Sequence, residues 1–317
     1  LLLPRVIFAG EANFLPGIKL DDFFNAAIDF SPDLQIASEN LNISSARKQA
    51  ANGQLLPQLS AGANVTDNSF EQLNRQQDFT GERYFLSLTQ TLFNWQQFAL
   101  RKQAHLLEDQ SEEEYYYQLS VLLTDVADRY FSVLQAQDNL TSIASEIEAL
   151  RNQLDQVENL FDRQLTQVTD LYQVQASLAA TEAEQLQLEA ELALSKESLR
   201  SISGLEVGQL FKLREDIEIS PLEYDQEFYV NQARERNKSV LAGELALRAA
   251  NEGVSERRGA YLPQVSFIAQ RQDSNVGFEN LLINRTDNTF IGVNVVIPIY
   301  AGGRNKAGVS EAISRRS

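Results

Sequence analysis

The residues able to do acid–base chemistry are few: a single histidine, His105, and the carboxylates Asp125 and Asp128, three apart and so on one side of a helix. Paired carboxylates without a second chemical group or a cleft motif do not make a hydrolase site. Glu112, Glu113 and Glu114 form a charge run that belongs on a solvated helix face. The chain has no cysteine, which removes thiolate chemistry and disulfides, and one histidine cannot build a multi-histidine metal centre. Neither a phosphate-cradling glycine loop nor a nucleophile elbow occurs in the sequence. An enzyme is not expected, nor is a cofactor or metal. With 44 acidic against 27 basic residues and a formal charge of -17, a nucleic-acid partner is disfavoured, because the surface repels a phosphate backbone.

The elements that would position any site follow a regular order. Residues 1–30 form an N-terminal segment whose first ten, LLLPRVIFAG, read either as the tail of a signal sequence or as a plain extension. No stretch reaches the roughly 18 apolar residues of a spanning helix, which excludes a helical membrane protein but not a membrane β-barrel. From Ser31 to Leu56 the pattern is helical, with Ser31 and Pro32 as N-cap and first turn and Pro57 as the stop. Leu59, Ala61, Ala63 and Val65 then alternate with Ser60, Gly62, Asn64 and Thr66. Tyr84, Leu86 and Leu88 alternate with Phe85, Ser87 and Thr89, so 58–93 reads as a long hairpin. Residues 95–163 contain neither glycine nor proline and carry a seam at Ile143, Ile147, Leu150, Leu154, Val157 and Phe161. Such a helix would be roughly 100 Å long. Trp95 and Phe98, at its start, suit either a membrane boundary or packing in the junction. A tip at 164–170, with Asp170 as cap, leads to a helix over 171–203 closed by Gly204. A mixed segment, 204–222, precedes a helix at about Tyr224–Ala260, strands Gln264–Val276 and Asn288–Ile299, and Gly302-Gly303 before a final incipient helix.

This order repeats. A shift of 206 places Gly53 on Gly259, Leu56 on Leu262, Pro57 on Pro263, Gln58 on Gln264, Ser60 on Ser266, Ala63 on Ala269 and Asp67 on Asp273. The same offset sets Phe85–Asn94 on Ile291–Tyr300. Identities that coincide with changes of hydrophobic period argue for two copies of one unit, the first at 31–203 and the second beginning at 223–317. The second helical hairpin would need about 90 residues beyond Ser317, so the second copy is expected to be truncated here. Four strands cannot close a water-filled barrel, whereas three chains would bring twelve, with Ser, Thr, Asn and Gln lining the lumen and apolar residues facing lipid. The soluble alternative is a sandwich packed on helices.

The junctions Leu55-Leu56-Pro57-Gln58-Leu59 and Tyr261-Leu262-Pro263-Gln264-Val265 are similar to the paired helix-to-strand junctions of the TolC-type outer-membrane factor family. Leu88-Thr89-Gln90-Thr91-Leu92-Phe93 and Val296-Ile297-Pro298-Ile299-Tyr300-Ala301-Gly302-Gly303 resemble its strand-to-helix exits. The resemblance runs from about Leu20 to the end. It implies a mixed α and β membrane protein: a homotrimer with a twelve-stranded outer-membrane β-barrel continuous with a periplasmic α-helical coiled-coil barrel, and 204–222 in an equatorial belt. It implies a location in the outer membrane reaching into the periplasm, and a role as exit duct for efflux of small molecules or type I protein secretion. The implied partners are outer-membrane lipid, a periplasmic adaptor, and an inner-membrane ABC or proton-driven transporter. Leu165, Thr166 and Val168 become candidate adaptor contacts, Asp170 a candidate gate or cap, and Pro57, Pro263, Gly302 and Gly303 the barrel-to-helix junctions. The rival readings are a periplasmic coiled-coil adaptor or tether, and an adhesin stalk without channel activity.

Overall fold

The computed structural model describes residues 17–72, 75–212, 223–275 and 285–317. The signal-like stretch 1–10, residues 213–222 of the mixed segment and 276–284 of the second hairpin loop lie outside the described residues. Seven helices are described: α1 (Leu20–Phe30), α2 (Pro32–Gly53), α3 (Trp95–Asp162), α4 (Val168–Ser203), α5 (Gln226–Arg236), α6 (Lys238–Gly259) and α7 (Arg304–Arg316). The four described strands are β1 (Gln58–Gln72), β2 (Arg75–Phe93), β3 (Gln264–Asn275) and β4 (Thr286–Val296). The chain divides into two compact units, Leu1–Ile36 with Tyr116–Asp225 and Ala37–Tyr115 with Gln226–Ser317.

The first unit is held together by apolar positions spaced three and four apart on its helices. Phe23 and Ala27 of α1, Val126 and Val133 of α3 and Leu199 of α4 are all fully buried. Phe23 meets Tyr130 edge to face at 5.8 Å. The Tyr130 hydroxyl lies 2.9 Å from the Phe211 carbonyl and 3.2 Å from that of Ile18, either of which can accept its proton. Ile18 and Leu210 form a parallel bridge, through Ile18 N–H to Gln209 O and Phe211 N–H to Ile18 O. Within the N-terminal segment 1–30, to which the sequence reading assigns no element, residues from Leu20 fold as α1, and Ile18 before it pairs with Leu210 at the start of the mixed segment. Gly204 ends α4 at φ 70°, and a Cβ there would stand 2.8 Å from the Phe30 ring. Glycine is therefore needed both for the turn and for the contact.

The second unit carries one antiparallel sheet in the order β1-β2-β3-β4, with segments of α2 and α3 and all of α6 and α7 beyond its helix junctions. Small residues let the helices approach: Ala51, Ala99, Ala104, Ala242 and Ala249 are buried. Ion pairs Lys48–Glu108 and Lys102–Glu252 and a 2.7 Å Ser44–Ser111 hydrogen bond tie neighbouring helices. The single helix expected over Tyr224–Ala260 is interrupted at Asn237, whose Oδ1 accepts from Ser239 N–H (2.9 Å) and Val240 N–H (3.2 Å). An amide that can cap a new helix competes with continuing the old one.

The repeat offset also needs correction. Gln58 pairs with Thr89 and Gln264 with Val296, so β1 maps onto β3 at 206 but β2 maps onto β4 at 207. Phe85 therefore corresponds to Gly292 rather than Ile291. Because side chains alternate with period two, the extra residue decides which face each β4 residue occupies.

Candidate functional site

Three places could serve a channel: the two faces of the sheet, its helix junctions, and the tip between α3 and α4. By register, one face of the sheet carries Leu59, Ala61, Ala63 and Val65 of β1, Leu86 and Leu88 of β2, Phe267 and Ala269 of β3, and Ile291, Val293 and Val295 of β4. The other carries Ser60, Asn64 and Thr66, Ser87 and Thr89, Gln270 and Gln272, Asn288 and Asn294. A sheet apolar on one side and amide- and hydroxyl-rich on the other suits a wall between hydrocarbon and water. Phe85, Ile268, Phe290 and Val296 interrupt the polar face; the Phe85 ring lies over Gly62, where an added Cβ would be 2.5 Å away. The apolar face ends in a charged row, with Arg271 on Asp287 at 2.8 Å and Arg285 bidentate on Asp273. Tyr84 pairs across the strands with Asp273 and so marks the boundary. β4 is exposed along its whole length, Ile291 at 70%.

At the junctions, the two copies use the same bonds. Leu56 N–H donates to Gly53 O at 3.1 Å, and Leu262 N–H to Gly259 O at 3.0 Å. Pro57 and Pro263 follow, unable to donate to a further helical turn, and a strand begins at the next residue. The glutamines after them diverge. Gln58 Nε2 donates to the Gly53 and Leu56 carbonyls (2.8 and 3.1 Å), whereas Gln264 Nε2 reaches Gln96 Oε1 at 3.2 Å. On the exit side, Asn94 Oδ1 accepts from the Gln96 and Gln97 N–H groups (3.1 and 3.4 Å) and starts α3. Gly302 and Gly303, at φ 60° and 81°, make the corresponding turn before α7. Trp95 donates its indole N–H to Ser255 Oγ at 3.1 Å and remains 43% exposed. Beyond the junction, Lys48 donates to Glu108 and holds its carboxyl below the ordinary 4.5, against the opposing pull of burial.

The tip is a Schellman turn. Leu165 N–H reaches back to Leu160 O at 2.9 Å and Gln164 N–H to Phe161 O at 2.8 Å, with Gln164 itself left-handed at φ 61°. α4 then begins at Val168, three residues before the expected 171, and Gln167 occupies the N-cap. Asp170 is therefore not the N-cap but the third helical residue. Its Oδ2 accepts from Gln167 N–H at 3.3 Å and from Thr166 Oγ1 at 2.6 Å, the return half of a capping box. Leu165 is 69% and Val168 42% exposed. Along α3 the seam fades toward this end: Ile143 and Ile147 are buried, Leu150, Leu154 and Val157 half-buried, and Phe161 exposed.

Sequence reasoning passed over Arg129, which binds Asp125 through two 3.0 Å bonds and reaches Ser198 O of α4 at 2.9 Å. An i, i+4 Asp–Arg pair was its visible signal. Asp125 is thus a partner in a clamp between α3 and α4, and Asp128 is exposed. Among the described residues, no cluster of three or more His, Cys, Asp or Glu could hold a metal, and no helix is long and apolar enough to cross a membrane.

The fold recurs in known proteins. The chain is 26% identical over 318 residues to the outer membrane protein TolC of Vibrio cholerae, covering 98% of this chain and 72% of that protein. It is 26% identical to TolC of Escherichia coli (98% of this chain, 66% of that protein). It is 23% identical to the alkaline protease secretion protein AprF of Pseudomonas aeruginosa (94% and 64%). The chain thus spans about two thirds of the length of these relatives. Among solved structures, the outer membrane protein VceC of Vibrio cholerae superposes with a TM-score of 0.78 at 18% identity, over 94% of this chain and 72% of that one. A structure of CusC superposes with a TM-score of 0.82 at 18% identity, over 94% and 69%. The family model for outer membrane efflux proteins matches residues 24–205 and 229–316, and the chain belongs to that family.

Proposed function

We propose that this chain is the subunit of a homotrimeric outer-membrane exit duct. Three four-stranded sheets close into one twelve-stranded barrel, and the helices continue it as a tunnel through the periplasm. The observation that carries this reading is the sheet itself, apolar on one face, polar on the other, and bounded, among the described residues, by the two unpaired edges of β1 and β4. The apolar face meets lipid and the amide-rich face lines the water path. The described start of the mixed segment, 204–212, lies in a belt around the tunnel. The duct passes small molecules or a secreted polypeptide. The protein supplies no energy of its own, which comes from an inner-membrane ABC or proton-driven transporter reached through a periplasmic adaptor. Leu165, Thr166 and Val168 are the adaptor contacts, the support being their place at the helix turn and the exposure of Leu165 and Val168, with Thr166 half-buried between them. Asp170, tied to Thr166 and Gln167, steadies that turn and contributes charge to the closed end. Mass measurement of the detergent-solubilised protein, together with conductance in planar bilayers, tests the reading. A conducting trimer is expected; a non-conducting monomer refutes it.

A further inference from the structure

Every carboxylate of the four described strands lies on one face of the sheet. By register, Asp67 and Glu71 of β1, Asp78 and Glu82 of β2, Asp273 of β3 and Asp287 of β4 all fall on the side that carries the apolar band, beyond its end. The arginines on that side are neutralised there: Arg271 donates to Asp287 at 2.8 Å, and Arg285 forks onto both oxygens of Asp273. The amide-rich face carries no Asp or Glu among the described residues. The sign of that wall is therefore not set by the chain's overall charge of -17.

Arg83 stands on the amide-rich face, opposite Asn64 of β1 and Ser274 of β3, and Ser274 in turn faces Thr286 of β4. The layer nearer the helix junctions is Gly62, Phe85, Gln272 and Asn288, and the layer nearer the β1–β2 turn begins with Thr66 and Gly81. None of these is ionisable. Arg83 is exposed, and its side chain makes no ion pair or hydrogen bond among the described residues. Of Arg83, Arg271 and Arg285, the one on the face assigned to water is thus the one left without a carboxylate.

Building on the duct reading above, we propose that Arg83, contributed once by each chain of the trimer, forms a cationic ring inside the barrel that favours anionic cargo: small molecules bearing carboxylate or phosphate groups. A ring of like charges in a water-filled passage concentrates counter-ions, because the low-dielectric wall focuses its field into the lumen. The guanidinium suits such cargo. Its donors form a planar fork that meets a carboxylate or phosphate through two parallel hydrogen bonds, and no acid of the sheet occupies that fork here. Asn64 and Ser274, directly across the strands, add an amide and a hydroxyl without adding negative charge. A central strand paired on both sides fixes the position of the Arg83 backbone, so the charge stays at one depth in the barrel.

Single-channel recording in planar bilayers tests the ring, with inorganic pyrophosphate as the probe in about 0.1 M KCl, where the Debye length is about 10 Å. Pyrophosphate is expected to reduce the current of the parent protein and of Arg83→Lys at similar concentrations. Arg83→Gln should need about tenfold more, the loss of one charge-assisted contact. Arg271→Gln, on the other face, should be blocked like the parent. Under a KCl gradient, Arg83→Glu should move the reversal potential toward that of potassium. A conducting parent that pyrophosphate does not block, or Arg83→Gln channels blocked at the parent's concentration, overturns the ring while leaving the duct intact. Loss of block in Arg83→Lys as complete as in Arg83→Gln overturns the charge as its basis. Equal losses in Arg271→Gln and Arg83→Gln overturn the assignment to the inner face. A parent protein that does not conduct overturns the duct reading itself.

Discussion

Placing arginine on successive β2 positions tests the assignment of the sheet's faces. Leu88 sits between Leu59 and Ala269 on the apolar face, two residues further from the charged row than Leu86, which pairs with Arg271 itself. Leu88→Arg should cost about 2–4 kcal/mol per chain if that face meets the bilayer midplane. Ser87→Arg projects from the opposite, polar face, where the half-buried Ser87 would meet water in the duct, and should cost under about 1 kcal/mol. Tyr84, which pairs with Asp273, stands at the edge of the apolar band. Tyr84→Arg should therefore fall to about 0–1 kcal/mol, as for an arginine near the interface. Urea unfolding of the protein reconstituted in lipid vesicles, followed by tryptophan emission from the single Trp95, gives the three values. The order Leu88 far above Tyr84, with Ser87 smallest, is required. Equal costs at Leu88 and Ser87 would refute the two-faced wall, and a Tyr84 cost matching that of Leu88 would refute the charged row as its boundary.

At the tip, Gln164→Gly relieves a left-handed backbone that costs a side-chain-bearing residue about 1–2 kcal/mol, offset in part by glycine's greater freedom when unfolded. A net gain of about 0.5–1 kcal/mol is expected, seen as slower hydrogen exchange of the Leu165 amide; unchanged exchange would count against the strain. Asp170→Ala removes the acceptor for Gln167 N–H and Thr166 Oγ1 and should loosen the tip by about 1 kcal/mol, whereas Asp170→Asn keeps an acceptor and loses the charge. Raised open probability in planar bilayers for both variants indicates a charge-based gate, and a change in the alanine variant alone indicates capping. The Glu108 carboxyl is held below its ordinary 4.5, so Lys48–Glu108 stabilises fully above that pH and progressively less as pH falls through the lowered value. Glu108→Gln should flatten the loss of thermal stability below about pH 4.5, and a variant with the parent's acid profile would show that the pair contributes nothing.

The sequence by itself determined the elements whose signals are local. A run without glycine or proline from Trp95 to Asp162 can continue as one helix, and the alternation of Leu59, Ala61 and Ala63 with serine, glycine and asparagine is a strand pattern before any partner is known. The repeated Leu-Pro-Gln junction was legible for the same reason, since proline acts on its own backbone and its neighbour's. Other features depend on what lies across space. α1 carries a local signal, with Phe23 and Ala27 four apart on one face and Asp21 and Asp22 in the first turn, but what that face packs against, Tyr130 edge-on to Phe23, lies far along the chain. Asn237 reads as an ordinary helical residue until its side chain is seen to cap α6. Identities clustered around Pro57 and Pro263 could not register a single extra residue in the second hairpin, because residue types vary freely along a strand while hydrogen-bond pairing does not. Gly53 and Gly259 are the same letter at the same repeat position. Tertiary structure alone separates them, because a glycine's role depends on what approaches it, and within the chain only Gly259 has a neighbour at van der Waals distance.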